Sequence, residues 1–156
     1  MKNKQLEKIG LAVIGCGTMG KIRAGLATHY PGIEWLGLCD LNRDLGLKLA
    51  EDTKADFFTT NMNELLDRPE VNAVMVLTDE NNHTAPALLA IERGYKVFIE
   101  KPLATDIHES TKVLDAIEKS QADVCVGYTQ RFRRRFLTIK ERITNNQIGD
   151  VHSVIT

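Results

Sequence analysis

The residues Gly15-Cys16-Gly17-Thr18-Met19-Gly20 follow an apolar run, Ile9 to Ile14, broken only by Gly10, and they open an amphipathic segment. In that setting each glycine has a separate mechanical reason. Gly15 permits the tight turn out of a buried strand. Gly17 has no side chain, so a pyrophosphate can approach the backbone closely. Gly20 lets the following helix pack tightly on the sheet. The unpaired N–H groups of Thr18, Met19 and Gly20 then face the phosphates, and the helix dipole adds about half a positive charge there. Asp40 stands twenty positions after Gly20, at the end of the next apolar run. Its carboxylate can accept hydrogen bonds from both ribose hydroxyls. Strand, glycine turn, helix and carboxylate together point to a dinucleotide site formed by Gly15, Gly17, Thr18, Met19, Gly20 and Asp40. Asp40 favours NAD(H), because a carboxylate repels the 2′-phosphate of NADP(H). Arg43 lies close enough to offset part of that repulsion, which keeps NADP(H) as a second candidate.

Strand and helix patterns alternate from here with little interruption. Helix is predicted over Thr18 to Tyr30, with Met19, Ile22, Leu26 and Ala27 on its buried face and Pro31-Gly32 as its stop. Ile33 to Cys39 reads as a strand. Asn42 is placed to cap a helix reaching Asp52, with Leu45, Leu49 and Ala50 inward. A short strand at Phe57-Phe58, a small helix over Met62 to Leu66 and a strand over Val71 to Leu77 follow. The near-continuous apolar character of that strand suits a parallel sheet buried on both faces. His83 to Arg93, ended by Gly94, reads as helix and Val97 to Ile99 as strand. Asp106 to Ser120 is predicted helical, with Val113, Leu114 and Ile117 spaced for burial, and Val124 to Val126 is a sixth strand. The expected fold class is α/β, a Rossmann-type doubly wound parallel sheet over roughly residues 7–127. The tail differs. Arg131 to Ile143 reads as a basic helix with Phe132, Phe136, Ile139 and Ile143 in one stripe, followed by a turn and a candidate strand over Val151 to Ile155.

With 156 residues, one domain is the default. A net charge of −1 gives no general attraction to nucleic acid or anionic membrane. The arginines within Arg131 to Arg135 form a single local cluster, better read as a solvated or interface-facing helix. No apolar run approaches the ~20 residues of a membrane span, and Met1 to Lys8 is polar without a secretory signal. The cytoplasm is the expected compartment. Cys16, Cys39 and Cys125 are odd in number and lack CxxC spacing, so neither a metal site nor a disulfide framework is expected. A helix N-terminus lowers a thiol pKa, which gives Cys16 a second, redox reading.

The fifth strand runs into Glu100-Lys101-Pro102. Ligands of open parallel sheets bind beyond the C-terminal strand ends, so Lys101 is expected at the same crevice as the glycine loop. A lysine there can exchange a proton with a substrate hydroxyl. Gly15 to Gly20, Asp40, Thr78-Asp79-Glu80-Asn81-Asn82-His83 and Glu100-Lys101-Pro102 occur in an order and spacing that resemble the glucose–fructose oxidoreductase/inositol dehydrogenase (Gfo/Idh/MocA) family of NAD(P)-dependent oxidoreductases. Arg131-Phe132, Lys140 and Ile148-Gly149-Asp150-Val151 resemble that family's passage into its second, substrate-binding α/β domain.

The resemblance implies hydride transfer between nicotinamide and a sugar, polyol or related hydroxy or carbonyl compound. It implies that Lys101 is the catalytic lysine and that Glu100 contacts the nicotinamide end of the cofactor. Thr78, Asn82 and His83 match the loop that runs along the ribose and nicotinamide side. Relatives often carry Pro after the Thr, where this chain has Asp79. His83, by spacing alone, is a helix-start residue. The expected content is therefore a nucleotide-binding domain over residues 1–127 and the beginning of a substrate and oligomerisation domain over residues 128–156. Self-association is expected through that tail or through the rest of the second domain. Cofactor binding is expected of these residues, and turnover by them alone is not. A regulatory or sensor module that binds dinucleotide without catalysis is the alternative, although the retained Lys101 speaks against it.

Overall fold

The computed structural model describes residues 8–155. Residues 1–7, which hold nearly all of the polar N-terminal stretch, and Thr156 lie outside them. Strand β1 (Ile9–Ile14) is buried along almost its whole length and pairs in parallel with β2 (Ile33–Cys39) on one side and β4 (Ala73–Val76) on the other. β3 (Phe57–Thr59) extends the sheet beyond β2, and β5 (Lys96–Ile99) and β6 (Val124–Val126) extend it beyond β4. The resulting order is β3-β2-β1-β4-β5-β6, parallel throughout. The strand order reverses between β1 and β4, the switch point where such sheets open a crevice. Register makes that crevice specific. Ile14 lies opposite both Cys39 and Val76, and Val76 lies opposite Ile99. The segments leaving these four strands thus emerge at one level.

Alternation along the strands divides the core into two layers. On one side Ala12, Ile14, Val74, Val76, Val97 and Ile99 meet Leu65 and Leu66 of α3 (Met62–Leu66). Ala87, Ala90 and Ile91 of α4 (Thr84–Glu92) and Val113 of α5 (Ile107–Ser120) complete that layer. On the other side Leu11, Val13, Leu36 and Leu38 meet α1 (Thr18–Ala27) and α2 (Arg43–Thr53) through Ala24, Ala27 and Leu49. The expected Asn42 cap is present, and Asp106 caps α5 in the same way. Asn42 Oδ1 accepts from Leu45 N at 3.1 Å, and Asp106 Oδ1 accepts from Glu109 N at 2.9 Å.

Several expectations are corrected. The buried face of α1 is Gly20, Ala24 and Ala27, whereas Ile22 is 50% and Leu26 67% exposed. The helix approaches the sheet so closely that only small residues fit between them. α1 also ends at Ala27 rather than Tyr30. Leu45 and Leu114, expected inside, are exposed. The strand predicted from Val71 is confined to Ala73–Val76, because the Val71 amide turns back to donate to the Arg68 carbonyl.

The tail forms a 3-10 turn over Thr129–Phe132 and then helix α6 (Arg134–Thr144), so the helix starts three residues later than expected. Val151 to Ile155 is not a strand, since no described strand pairs with it. A segment of strand-like composition without a ladder partner has nothing to hold it extended. No helix among the described residues is long and apolar enough to cross a membrane.

Candidate functional site

A cleft of about 740 Å³ opens at the C-terminal edge of β1, β2 and β4, within the ~300–1,000 Å³ usual for small-molecule sites. Gly15, Gly17, Thr18 and Met19 form one wall, Asp40 stands beside them, and Thr78 and Asn82 lie across from them. Seven of the residues predicted from sequence are thus brought together.

The glycine loop is shaped by contact. Gly15 has φ +100°, and a side chain there would stand 2.6 Å from the backbone of Leu77 and Thr78. A Cβ on Gly20 would lie 2.1 Å from the Gly15 carbonyl oxygen, so Gly20 sits behind the cleft wall and lets α1 close onto the loop. Gly17 is the opposite case. Nothing lies within 4 Å of where its Cβ would be, and the residue faces the cleft. Gly17 is also the N-cap of α1 and supplies no side-chain hydrogen bond. The first intrahelical bond runs from Lys21 N to Gly17 O. The amides of Thr18, Met19 and Gly20 therefore have no acceptor within the helix. An uncapped helix start beside a side-chain-free wall suits an anionic group.

Asp40 is held by the loop it serves. Its Oδ2 accepts from Cys16 N at 2.6 Å and its Oδ1 from Asn42 N at 2.8 Å. Each carboxylate oxygen keeps further lone-pair capacity for a hydroxyl. Arg43 occupies the first position of α2 and is exposed, outside the cleft lining. The remaining wall was not foreseen from sequence. Leu41, Leu45, Met62 and Pro86 give it apolar surface, and Glu109 of α5 reaches its edge. A hydrogen bond from Lys112, together with that lysine's charge, holds the Glu109 carboxyl below its ordinary value. The available signal was Leu41, an apolar residue directly after Asp40 that falls between the predicted strand and the predicted helix.

Asp79, found where relatives often carry Pro, organises the loop after β4. Its Oδ1 accepts from Asn81 N at 3.1 Å and its Oδ2 from Asn82 Nδ2 at 2.6 Å, while Thr78 Oγ1 donates to Asn82 O at 3.1 Å. His83 is the N-cap residue of α4, but its side chain makes no capping hydrogen bond. The imidazole is 1% exposed and does not line the cleft. Its Nδ1 lies 2.7 Å from the Pro102 carbonyl oxygen and its Nε2 3.1 Å from that of Thr78. A direct cofactor contact by this ring is thus corrected to a place beneath the cleft.

Glu100 is also buried and outside the lining. Arg23 of α1, which the sequence did not single out, donates to Glu100 Oε2 from Nε at 3.0 Å and from Nη2 at 2.6 Å. The Lys101 amide donates to Glu100 Oε1 at 3.1 Å. Lys101 itself is exposed on the turn after β5, outside the lining of the cleft where the sequence placed it, and its ammonium has no partner among the described residues.

The redox reading of Cys16 does not survive the geometry. Burial, with the Asp40 carboxylate and then Cys39 adding to it, pushes the Cys16 thiol up to about 12. Burial and then the same carboxylate push Cys39 up to about 11. Desolvation thus outweighs any help from the helix N-terminus, and neither thiol is a ready nucleophile. No group of three or more His, Cys, Asp or Glu side chains among the described residues is arranged to hold a metal ion.

Residues 9–128 match the sequence profile of the Gfo/Idh/MocA oxidoreductases, described as an oxidoreductase family with an NAD-binding Rossmann fold. The chain belongs to this family. Inositol 2-dehydrogenase of Gluconacetobacter diazotrophicus is 33% identical over 147 residues, covering 92% of this chain and 43% of that protein. An inositol 2-dehydrogenase/D-chiro-inositol 3-dehydrogenase of Shouchella clausii is 32% identical over 146 residues, covering 91% of this chain and 42% of that one. Among solved structures, GenD2 from gentamicin A biosynthesis, crystallised with NAD, superposes with a TM-score of 0.87. It is 26% identical and is matched over 97% of this chain and 44% of its own. The chain thus spans less than half the length of the Gfo/Idh/MocA relatives it matches.

Proposed function

We propose that this chain is the nucleotide-binding part of a cytoplasmic dehydrogenase or reductase that moves hydride between nicotinamide and a CH–OH or carbonyl carbon of a sugar or polyol. Residues 1–127 form its nucleotide-binding domain and residues 128–156 begin its substrate and oligomerisation domain. The observation that carries the reading is the uncapped start of α1, with Gly17 open to the cleft and the Asp40 carboxylate fixed beside it. Gly17, Thr18 and Met19 hold the pyrophosphate through backbone amides. Asp40 accepts from the adenosine ribose and disfavours a 2′-phosphate. Leu41, Leu45 and Met62 offer apolar surface to the adenine.

NAD, when bound, supplies the hydride acceptor or donor. Lys101 takes the hydroxyl proton of an alcohol during oxidation, or returns it to the carbonyl oxygen during reduction. The inositol specificity of the relatives supports a polyol or sugar substrate.

The test of binding is direct. Trp35 is the only tryptophan and can pass excitation to bound NADH. Saturable energy transfer, stronger for NADH than NADPH, is expected, and none with either nucleotide would refute the reading. In a form of the protein that turns over polyols, Lys101→Met should lower kcat by ~10²-fold or more, the upper scale of general acid–base catalysis. Cofactor affinity should be nearly unchanged. Normal turnover would remove Lys101 from the chemistry.

A further inference from the structure

We infer that Arg23 and His83 are positioning residues that fix the Lys101 turn to the two nucleotide-binding loops, so that nucleotide seated in the cleft is felt at Lys101. This rests on the proposed nucleotide site and adds to it a mechanical link that no single motif contains. The Glu100-Lys101-Pro102 turn places its exposed cation between two anchored neighbours.

The first anchor is Glu100. Both Arg23 donors converge on Oε2, the guanidinium lies 4.3 Å from the centre of the Phe98 ring, and the Arg23 and Glu100 side chains are only 16% and 9% exposed. The other carboxylate oxygen receives the Lys101 amide. Gly127 closes the site from behind, since a Cβ there would stand 3.2 Å from both carboxylate oxygens and 2.7 Å from the Phe98 ring. A buried ion pair is poor value for stability alone, because desolvation consumes most of its attraction. What it supplies here is direction. Its arginine belongs to α1, whose N-terminus is the phosphate site.

The second anchor is Pro102, whose carbonyl meets the buried His83 ring. The other ring nitrogen faces the carbonyl of Thr78, a residue of the cleft wall. The turn is thus tied on one flank to the phosphate helix and on the other to the loop after β4. A nucleotide that orders either element acts on Lys101 through side chains already in contact.

Amide spectroscopy of the full 156-residue chain tests this, with the Lys101 amide as reporter. In the wild type, NADH should shift the amides of Gly17 to Met19 and also that of Lys101. Arg23→Met should keep NADH binding and the Gly17 response. Its Lys101 amide should exchange with solvent about tenfold faster or more, because a Glu100 carboxylate no longer held by Arg23 ceases to present Oε1 to that amide, and its response to NADH should vanish. Arg23→Lys should restore part of both. Glu100→Gln, which keeps the shape but not the charge, covers the case in which Arg23→Met does not fold and should weaken the same two readouts. His83→Gln should reduce the Lys101 response while the Lys101 amide stays protected. The link is overturned if Arg23→Met, or Glu100→Gln in its place, binds NADH and leaves Lys101 exchange and response as in the wild type. Failure of the wild type to bind NADH would overturn the nucleotide site and the link to it. Slow Lys101 exchange in that same sample would still show the Glu100 anchor in place.

Discussion

The glycines at 17 and 20 are three residues apart and ask opposite things of a methyl group. At Gly17 an added Cβ meets nothing within 4 Å, and φ is −66°, a value any residue adopts. Gly17→Ala breaks no side-chain cap, and glycine's advantage over alanine at a helix start is worth about 1 kcal/mol at most. That corresponds to ~2–4 °C in Tm for a chain of this size. The methyl occupies the space assigned to the pyrophosphate. Losing one hydrogen bond between an amide and a charged oxygen costs about 1.5–3 kcal/mol, so NADH affinity should fall by about tenfold to a hundredfold.

Gly20→Ala should do the reverse of this in kind. Its methyl would stand 2.1 Å from the Gly15 carbonyl oxygen, a backbone atom that cannot rotate away. Overpacking of that kind costs about 1–3 kcal/mol or more, and Tm should drop by about 3–10 °C. Thermal melts and Trp35-sensitised NADH titrations on the two variants separate the effects. Gly17→Ala binding like the wild type would remove the pyrophosphate from that wall. Gly17→Ala melting as early as Gly20→Ala would show that the loop geometry is misread.

Asp40→Ser should weaken NADH, narrow the preference over NADPH, and lower stability by about 1–3 kcal/mol through the hydrogen bonds it removes from Cys16 N and Asn42 N; paired titrations and melts check this. At pH 8 a disulfide reagent should label exposed Cys125 quickly and reach buried Cys16 and Cys39 only on unfolding. Burial pushes the folded Cys16 and Cys39 thiols up to about 12 and about 11 from an ordinary 9.0, so above pH 9 the unfolded chain sheds protons that the folded chain keeps. Stability should therefore fall as pH rises from 9 toward 12, as alkaline melts would show. Phe136, Ile139 and Ile143 of α6 are exposed in one stripe, a surface that tends to find a partner. Light scattering should show concentration-dependent association that Phe136→Asp reduces.

The cleft that brings these residues together was legible because its parts are local. Gly15, Gly17 and Gly20 are explained within one turn, and Asp40 and the Asn42 cap within a few residues of a strand end. What was misread depended on what packs against what. A 3.6-residue period on α1 fits Met19, Ile22 and Leu26 as well as Gly20, Ala24 and Ala27, and only the closeness of helix to sheet selects the small set. Val151 to Ile155 has strand-like composition, but a strand exists only with a neighbour. Arg23 carried no signal because its meaning depends on Glu100, 77 positions away. Glu100 and His83 were expected as cofactor contacts, and both are buried outside the cleft lining. Their side chains proved to face protein rather than the cleft, a distinction that spacing does not encode.

The central claim is that the uncapped start of α1 and the carboxylate after β2 together form a nucleotide site. Amide chemical-shift mapping of the full chain on addition of NADH tests it most directly. Saturable shifts should concentrate at Gly15 to Gly20, Asp40 to Asn42 and Thr78 to Asn82, the three segments that meet at the C-terminal edge of β1, β2 and β4. Saturable shifts centred elsewhere, or none at millimolar NADH, would contradict the account.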